Sequence, residues 1–490
     1  MFACASTIFL IEVFAVLKAC KKAIKKILIP VSVILLLDGC DSVKDYTDTI
    51  KDLFGHEDDG SASGITIEKS DVNGEEQPVI VIQTDDEPLM ISVNEVEAEQ
   101  EEVVEEDIWD DENKIYSMHA ASPDEMTLVF VGDICFHDGY SNMNALRERG
   151  GDIGNCILPE VMEGLKAADI FMANNEFPYS DRGTPTADKQ YAFRAKPSNV
   201  NLLHDMGVDI VSLANNHAYD HGPDALTDTV DILKEAKVPF VGAGKNIDEA
   251  VKPAYIRING KTIAYTGATQ IERTANPDTK EATADSPGVL RTLDATRYVK
   301  VIEEAKANSD FCIAYVHWGS ENTDLVEQSQ RDLAKKYAAA GADLIIGDHS
   351  HCLQGLDYVD GVPVIYSLGN FWFNSKTVDT GYLRVTLDNE CRIKSIQFVP
   401  CVQENCKTRL AEGEKREWIL NYLQGISNYA SIDGDGYITQ SSENHNTQNG
   451  QNTSPSRKKE EEEVPAADAL LPLMDPAQLT QVVENSVSGN

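Results

Sequence analysis

Five apolar, strand-like runs between residues 125 and 405 each stop on residues that can hold a divalent cation, and this repetition constrains the fold more than any other feature. The endings are Val131-Gly132-Asp133, Asn174-Asn175-Glu176, Asn215-Asn216-His217, His317-Trp318-Gly319-Ser320-Glu321 and Gly347-Asp348-His349-Ser350-His351. Ligands of α/β proteins gather where loops leave the carboxyl ends of strands. Asp, Glu, Asn and His supply the oxygen and imidazole donors that hold Mn, Fe or Zn, whereas thiolate sets favour structural zinc. A single Asp or an Asn-Asn-His after a strand is common turn chemistry. Turn chemistry is a poor account of all five together, because seven of the ten histidines fall within 137–351 and four of them belong to these endings.

The same region alternates strands with helices. Strand-like runs occur at 126–131, 169–173, 208–214, 240–241, 311–316, 344–346 and 362–368. Helical segments follow at Ala225–Ala236, just after Pro223, and at Asp294–Ala307 and Glu327–Ala340. Asn259-Gly260 and Asp388-Asn389 each lie between two apolar alternations and predict β-hairpins. Parallel-type units plus hairpins predict an α/β layered domain over 125–405, with a mixed sheet or two sheets.

The flanks differ. Residues 21–37 place a basic cluster before an apolar run, Ile27 to Leu37, the pattern of an export signal. That run is too short to span a hydrocarbon layer of about 30 Å unaided. Leu37-Asp38-Gly39-Cys40 resembles a bacterial lipobox, with Cys40 as the thiol that would take diacylglycerol, although Asp38 stands where a small or apolar residue is usual. Residues 1–40 are therefore read as a signal with a lipoprotein anchor or an uncleaved signal-anchor, with the rest of the chain outside the cytoplasmic membrane. Residues 41–124 carry 26 acidic against 4 basic side chains and read as an acidic, flexible linker. Its apolar alternations at 65–67 and 79–82 are long enough for a small hairpin. Residues 406–439 read as a C-terminal helical extension and 440–490 as a disordered tail. Of ten cysteines, seven lie beyond Cys40 and are scattered, which is not a disulfide framework, although Cys401 and Cys406 are close enough in sequence to bridge. The net charge of −39 excludes a nucleic-acid binder, which needs a basic face.

Seven segments in order, GDICFHDGY, NNEFP, FRAKP, SLANNHAYDHG, VHWGSE, GDHSHCLQG and YSLGNF, resemble the CapA family of poly-γ-glutamate capsule biosynthesis proteins over about Thr127 to Phe371. The family is similar to the calcineurin-like metallophosphoesterases, and the resemblance implies a four-layer αββα sandwich with a dinuclear metal pocket at the strand ends. Carried onto this chain, it implies Asp133 as the first metal-binding carboxylate, Glu176 in place of the bridging carboxylate and Asn216 as the amide ligand. It likewise implies His317, His349 and His351 as the later ligands and His217 as the acid or transition-state donor. The chain departs from the pattern at Cys135, where phosphoesterases carry His, and at Asp348, where His is commoner. At least one metal site is therefore expected to be weakened, thiol-modified or lost.

Such a pocket would hold one or two divalent ions (Mn, Fe or Zn) that activate water and polarise a carbonyl or phosphoryl oxygen. Asp220 or Glu321 would orient imidazoles, and Arg194 and Lys196 would bind a substrate carboxylate or phosphate. The expected partners are an anionic polymer such as poly-γ-glutamate, the membrane through the N-terminus, and synthase or export subunits. A metal-dependent hydrolase or transferase, a non-catalytic polymer-binding component and a general phosphoesterase are the readings this leaves open. The aromatic run Phe371-Trp372-Phe373 is expected to pack beneath the pocket.

Overall fold

The computed structural model describes residues 108–446, apart from 188 and 272–278, together with the backbone of three strands further upstream. Cys40 and the signal sequence lie outside the described residues, as does the tail beyond 446. The chain divides into two units, 1–105 and 106–490. In the first, strands Ile65–Val72, Glu75–Ile82 and Leu89–Ser92 form an antiparallel meander whose register pairs Ile65 with Ile82 and Ile67 with Ile80. Apolar alternation thus forms strands even within the acidic range 41–124.

The second unit begins with β1 (Trp109–Asp110) and β2 (Ile115–Ser117), then β3 (Glu125–Ile134), β4 (Ile170–Asn175), β5 (Ile210–Ser212) and β6 (Phe240–Val241). The hairpin β7 (Ala254–Ile258) and β8 (Lys261–Thr269) follows, with β9 (Phe311–His317), β10 (Leu344–Asp348), β11 (Leu356–Val359) and β12 (Val362–Ile365). Then come β13 (Asn370–Trp372), β14 (Val378–Asp388), β15 (Ile393–Glu404) and β16 (Lys407–Leu410), and Ala430–Ile432 and Ile438–Gln440 follow as a separate two-stranded sheet. Strands β1 to β16 build two eight-stranded sheets. One runs β16-β15-β14-β3-β4-β5-β6 with β13 also paired to β3, and the other runs β11-β12-β10-β9-β8-β7-β2-β1. Both expected hairpins are present, at β7–β8 and β14–β15. The domain starts near 108 rather than 125, because β1 and β2 complete the second sheet.

Side chains alternate across each strand, and this sorts the core into three apolar layers. Leu128 and Phe130 of β3 and Met172 of β4 pack with Ile263, Tyr265, Ile313 and Ile346 between the sheets. Val129, Val131, Phe171 and Ala173 face outward, onto Leu146, Leu165, Leu203 and Leu226. Those four leucines come from α1 (Ser141–Glu148), α2 (Pro159–Lys166), α3 (Asn201–Met206) and α4 (Gly222–Glu235). On the far side Cys312, Ala314 and Ile345 pack against Tyr298 and Ile302 of α5 (Thr296–Ala307) and Leu333 and Tyr337 of α6 (Gln328–Ala339). The result is a four-layer αββα sandwich. Helix α7 (Gly413–Ile426) lies in the expected C-terminal extension and inserts Ile419, Leu420, Leu423 and Ile426 into the layer between the sheets.

Cys135, Cys156, Cys312, Cys391 and Cys401 are free thiols, so the 401–406 bridge is not formed. No described helix is long and apolar enough to cross a membrane. Phe130 is fully buried between the sheets, so Phe130→Ala is expected to lower unfolding stability by about 3–5 kcal/mol in urea titrations. The exposed Leu325→Ala is expected to change it by less than about 0.5 kcal/mol.

Candidate metal centre

Strands β3, β4 and β5 are mutually parallel, as are β8, β9 and β10, so each sheet delivers its strand ends to one edge. The register between β3 and β4 shifts by one residue between Phe130 and Asp133. Strict alternation would send Asp133 outward with Val129 and Val131, and the bulge re-aims it. Close approach is needed there too, since a Cβ at Gly132 would lie 1.9 Å from the Gly369 carbonyl oxygen.

Asp133, Glu176 and His317 are fully buried, and Asn216, His217 and His349 nearly so. Asn174 donates through Nδ2 to Asp133 Oδ1 at 2.8 Å, and the same nitrogen lies 3.2 Å from His317 Nδ1. His317 Nε2 is 2.7 Å from Asn216 Oδ1, 3.0 Å from His349 Nδ1 and 3.5 Å from Glu176 Oε1. His351 Nδ1 is 3.0 Å from Asp133 Oδ2 and 2.8 Å from Asn370 Oδ1, and its Nε2 is 3.9 Å from Glu176 Oε1. His349 and His351 have φ of 95° and 55°. That left-handed backbone is costly for non-glycine residues, and here it turns both rings of the His-Ser-His segment inward.

Two groups of three result: Glu176, His317 and His349, and Asp133, Glu176 and His351, each with its ligand atoms within 4.8 Å of one another. Glu176 belongs to both. Asn216 supplies an amide oxygen beside the first group, and the two histidines serve adjacent groups rather than one ion. Both Glu176 oxygens are buried without a hydrogen-bond partner among the described residues. Burial, reinforced by the neighbouring Asp133, raises the Glu176 carboxyl well above the usual carboxylate range. Burial pushes the His317 imidazole well below its ordinary value and His349 to about 3, which keeps both neutral and ligand-ready. For His351 burial acts downward too, but the Asp133 carboxylate prevails and raises it. An orphaned, doubly shared carboxylate amid imidazole nitrogens fits one or two divalent cations, and the oxygen and nitrogen donors suit Mn, Fe or Zn.

His217 stands beside these groups, with Nε2 3.9 Å from Glu176 Oε1 and Nδ1 2.6 Å from Asp220 Oδ2. Its ring stacks on Phe193 at 4.0 Å between centroids. Asp220, raised to about 6 chiefly by burial, also accepts from the Phe193 amide at 2.6 Å and pairs with Lys189. Asp220 therefore holds the imidazole through Nδ1. Glu321 does not: it is exposed, and no described hydrogen bond or ion pair joins it to an imidazole. The five-residue ending His317–Glu321 carries it past the site, and only its charge is felt at Glu176 and His351.

Arg194 is half-buried and donates to the Arg182 carbonyl at 3.2 Å, whereas Lys196 is exposed. Both belong to the segment that carries Phe193 past His217. Phe371 and Trp372 are buried in the outer core, and Phe373 lies 4.9 Å from the His351 ring. The departing residues take other roles. Cys135 is buried in that same core, where burial drives its thiol well above the ordinary value, and it joins neither group. Asp348 accepts from Tyr315 Oη, and burial raises its carboxyl well above the usual range. Asn174, Asn370 and Lys189 were not singled out in the sequence. The two asparagines stand in quoted motifs, but no local sequence signal marks Lys189.

Residues 127–375 match the family described as Bacterial capsule synthesis protein PGA_cap. The chain belongs to this family. Among its relatives, the PGA biosynthesis protein CapA of Bacillus subtilis (strain 168) is 31% identical over 269 residues, covering 54% of this chain and 68% of the relative. The capsule biosynthesis protein CapA of Bacillus anthracis is 32% identical over 285 residues, covering 56% and 67%. A probable polyglutamine synthesis accessory protein of Mycobacterium tuberculosis is 26% identical over 277 residues, covering 53% and 73%. Among solved structures, a Thermus thermophilus protein aligns with TM-score 0.31 at 12% identity, over 55% of this chain and 97% of its own. The 5'-nucleotidase of Candida albicans SC5314 aligns with TM-score 0.31 at 12% identity, over 58% and 53%. At such scores the sandwich of this PGA_cap protein rests on its own two sheets.

Elemental analysis of the purified full chain is expected to find about two ions per chain in the wild type, about one in His349→Ala and about none in Glu176→Gln. Because burial raises the Glu176 carboxyl, protons compete for it, so metal content falls as pH is lowered.

Proposed function

We propose that this PGA_cap protein acts outside the cytoplasmic membrane on an anionic capsule polymer such as poly-γ-glutamate, as a metal-dependent hydrolase or transferase of amide or phosphoester bonds. One observation carries the reading: Glu176, with no hydrogen-bond partner for either oxygen among the described residues, is shared by two metal-capable groups beside an oriented imidazole. Asp133, Glu176, Asn216, His317, His349 and His351 would hold the ions. When bound, these would supply an acidified water and a Lewis-acid contact for the oxygen under attack.

The chain's own groups do the rest. Burial holds His217 well below its ordinary value, so the resting imidazole is neutral. Donating Nδ1–H to Asp220 leaves Nε2 as the lone pair on the Glu176 side. Nε2 takes a proton as the nucleophile attacks and returns it to the departing nitrogen or oxygen, and the buried Asp220 stabilises the imidazolium between. Arg194 and Lys196 supply positive charge for the polymer's carboxylates. Attachment through Cys40 or the signal run, and work beside synthase or export subunits, complete the proposal.

A second reading, a pocket that only binds polymer, is favoured by Cys135 and Asp348, neither of which joins the metal-capable groups. Turnover decides. With manganese-loaded full chain, poly-γ-glutamate cleavage or transfer is expected to fall by about 10²–10⁴-fold in His217→Ala at unchanged metal content. Polymer binding without turnover in the wild type would favour the second reading, and turnover confined to a generic phosphodiester would make the protein a general phosphoesterase.

A further inference from the structure

Lys189 sits in the loop between β4 and α3, where Asp181–Pro185 are exposed, yet its side chain is only 6% exposed. Its ammonium donates to the Asn216 backbone carbonyl at 2.6 Å and to the Asp220 carboxylate. The loop is tied to the same residue again, since the Thr186 amide donates to the Asp220 carbonyl at 2.7 Å. Asp220 uses its other oxygen for His217 Nδ1 and the Phe193 amide, and Phe193 stacks on the His217 ring. One cation therefore meets both halves of the segment 216–220. One half carries the amide oxygen beside His317, and the other carries the carboxylate that aims His217.

We propose that Lys189 is a positioning residue, whose buried ammonium ties the Asn216 carbonyl to the Asp220 carboxylate and so fixes the His217 imidazole against the metal-capable groups. The geometry has a physical basis. A carboxylate with no exposure needs a compensating charge or it takes a proton, and a protonated Asp220 would no longer be a strong acceptor for His217 Nδ1–H. Among the described hydrogen bonds and ion pairs, Lys189 meets the candidate ligands only at the Asn216 backbone carbonyl and touches none of their ligand atoms, so it acts on His217 through Asp220. The kinetic consequence rests on the metal-dependent reading above; the positioning itself does not.

The test uses the full chain as wild type, Lys189→Met and Lys189→Arg. Proton NMR of the imidazole N–H region is expected to show a downfield His217 Nδ1–H resonance, assigned by its loss in His217→Gln. Lys189→Met is expected to abolish that resonance or move it upfield, and Lys189→Arg to restore it, with metal content unchanged. Where the wild type turns over poly-γ-glutamate, kcat is expected to fall about 10–100-fold in Lys189→Met while KM is unchanged. A chain with no turnover would sink the catalytic reading and leave the resonance to decide this one. An unaltered resonance in Lys189→Met overturns the proposal. If Lys189→Met does not fold, Lys189→Gln, which keeps N–H donors and drops the charge, takes its place with the same readout and the same deciding outcome.

Discussion

Four carboxylates, Asp133, Glu176, Asp220 and Asp348, are buried without exposure at one edge of the two sheets. Buried negative charge is strongly unfavourable unless it is paired, hydrogen-bonded or neutralised. Three of the four are answered within the chain. Asn174 and His351 serve Asp133, Lys189 and His217 serve Asp220, and Tyr315 serves Asp348. Glu176 has no such partner on either oxygen among the described residues. The demand for a cation is thus localised on one side chain, whose Oε1 lies 3.5–3.9 Å from nitrogens of His217, His317 and His351.

The sandwich makes this burial tolerable. A strand ending at a sheet edge presents its last side chains beside those of its parallel neighbours, so sequence-distant residues meet without long loops. Asp133 and Asn174 are register partners across β3 and β4, and His317 and Asp348 across β9 and β10. The apolar layer between the sheets, with Phe130 and Tyr265 at its middle, fixes how the two edges face each other. Small departures from regularity then do the fine placement: the β3 bulge, the glycine at 132 and the left-handed His349 and His351. Each is unfavourable locally and is held by packing around it.

That division explains what could be read from the sequence. Long apolar runs and two turn dipeptides gave away most of the central strands and both hairpins, because period and turn chemistry are local. Helix α6 carried its own start signal, as Glu327 and Gln330 form a reciprocal cap. The short helices α1 to α3 have six to eight residues each and too little periodicity to stand out. The run 362–368 read as one strand, but β12 ends at Ile365 and β13 starts at Asn370 because the loop between them must pass Gly132. At the site, the strand-end residues were legible because their types are unusual there. Lys189 and Asn370 were not, since each acquires its role from a contact with residues far along the chain. Glu321 was over-read: proximity in sequence to His317 does not place a side chain on the same face.

The net charge of the chain opposes a polyanionic partner, with 26 basic against 40 acidic side chains between 125 and 405 and a more acidic stretch before it. Long-range repulsion is largely screened beyond about 8 Å at physiological ionic strength, so the potential at the site is set chiefly by the groups nearest to it. There the metal-capable groups present only two carboxylates, Asp133 and Glu176, with neutral His317 and His349. Two divalent cations, if held there, would carry more charge than the Asp133 and Glu176 carboxylates that face them and would turn the local field positive. Attraction for an anionic polymer would then depend on metal loading and on Arg194 and Lys196, while the acidic remainder discourages adhesion elsewhere. A surface that repelled such a polymer and a metal-loaded site that attracted it would be compatible, because low dielectric and short distance favour the site and salt weakens the surface.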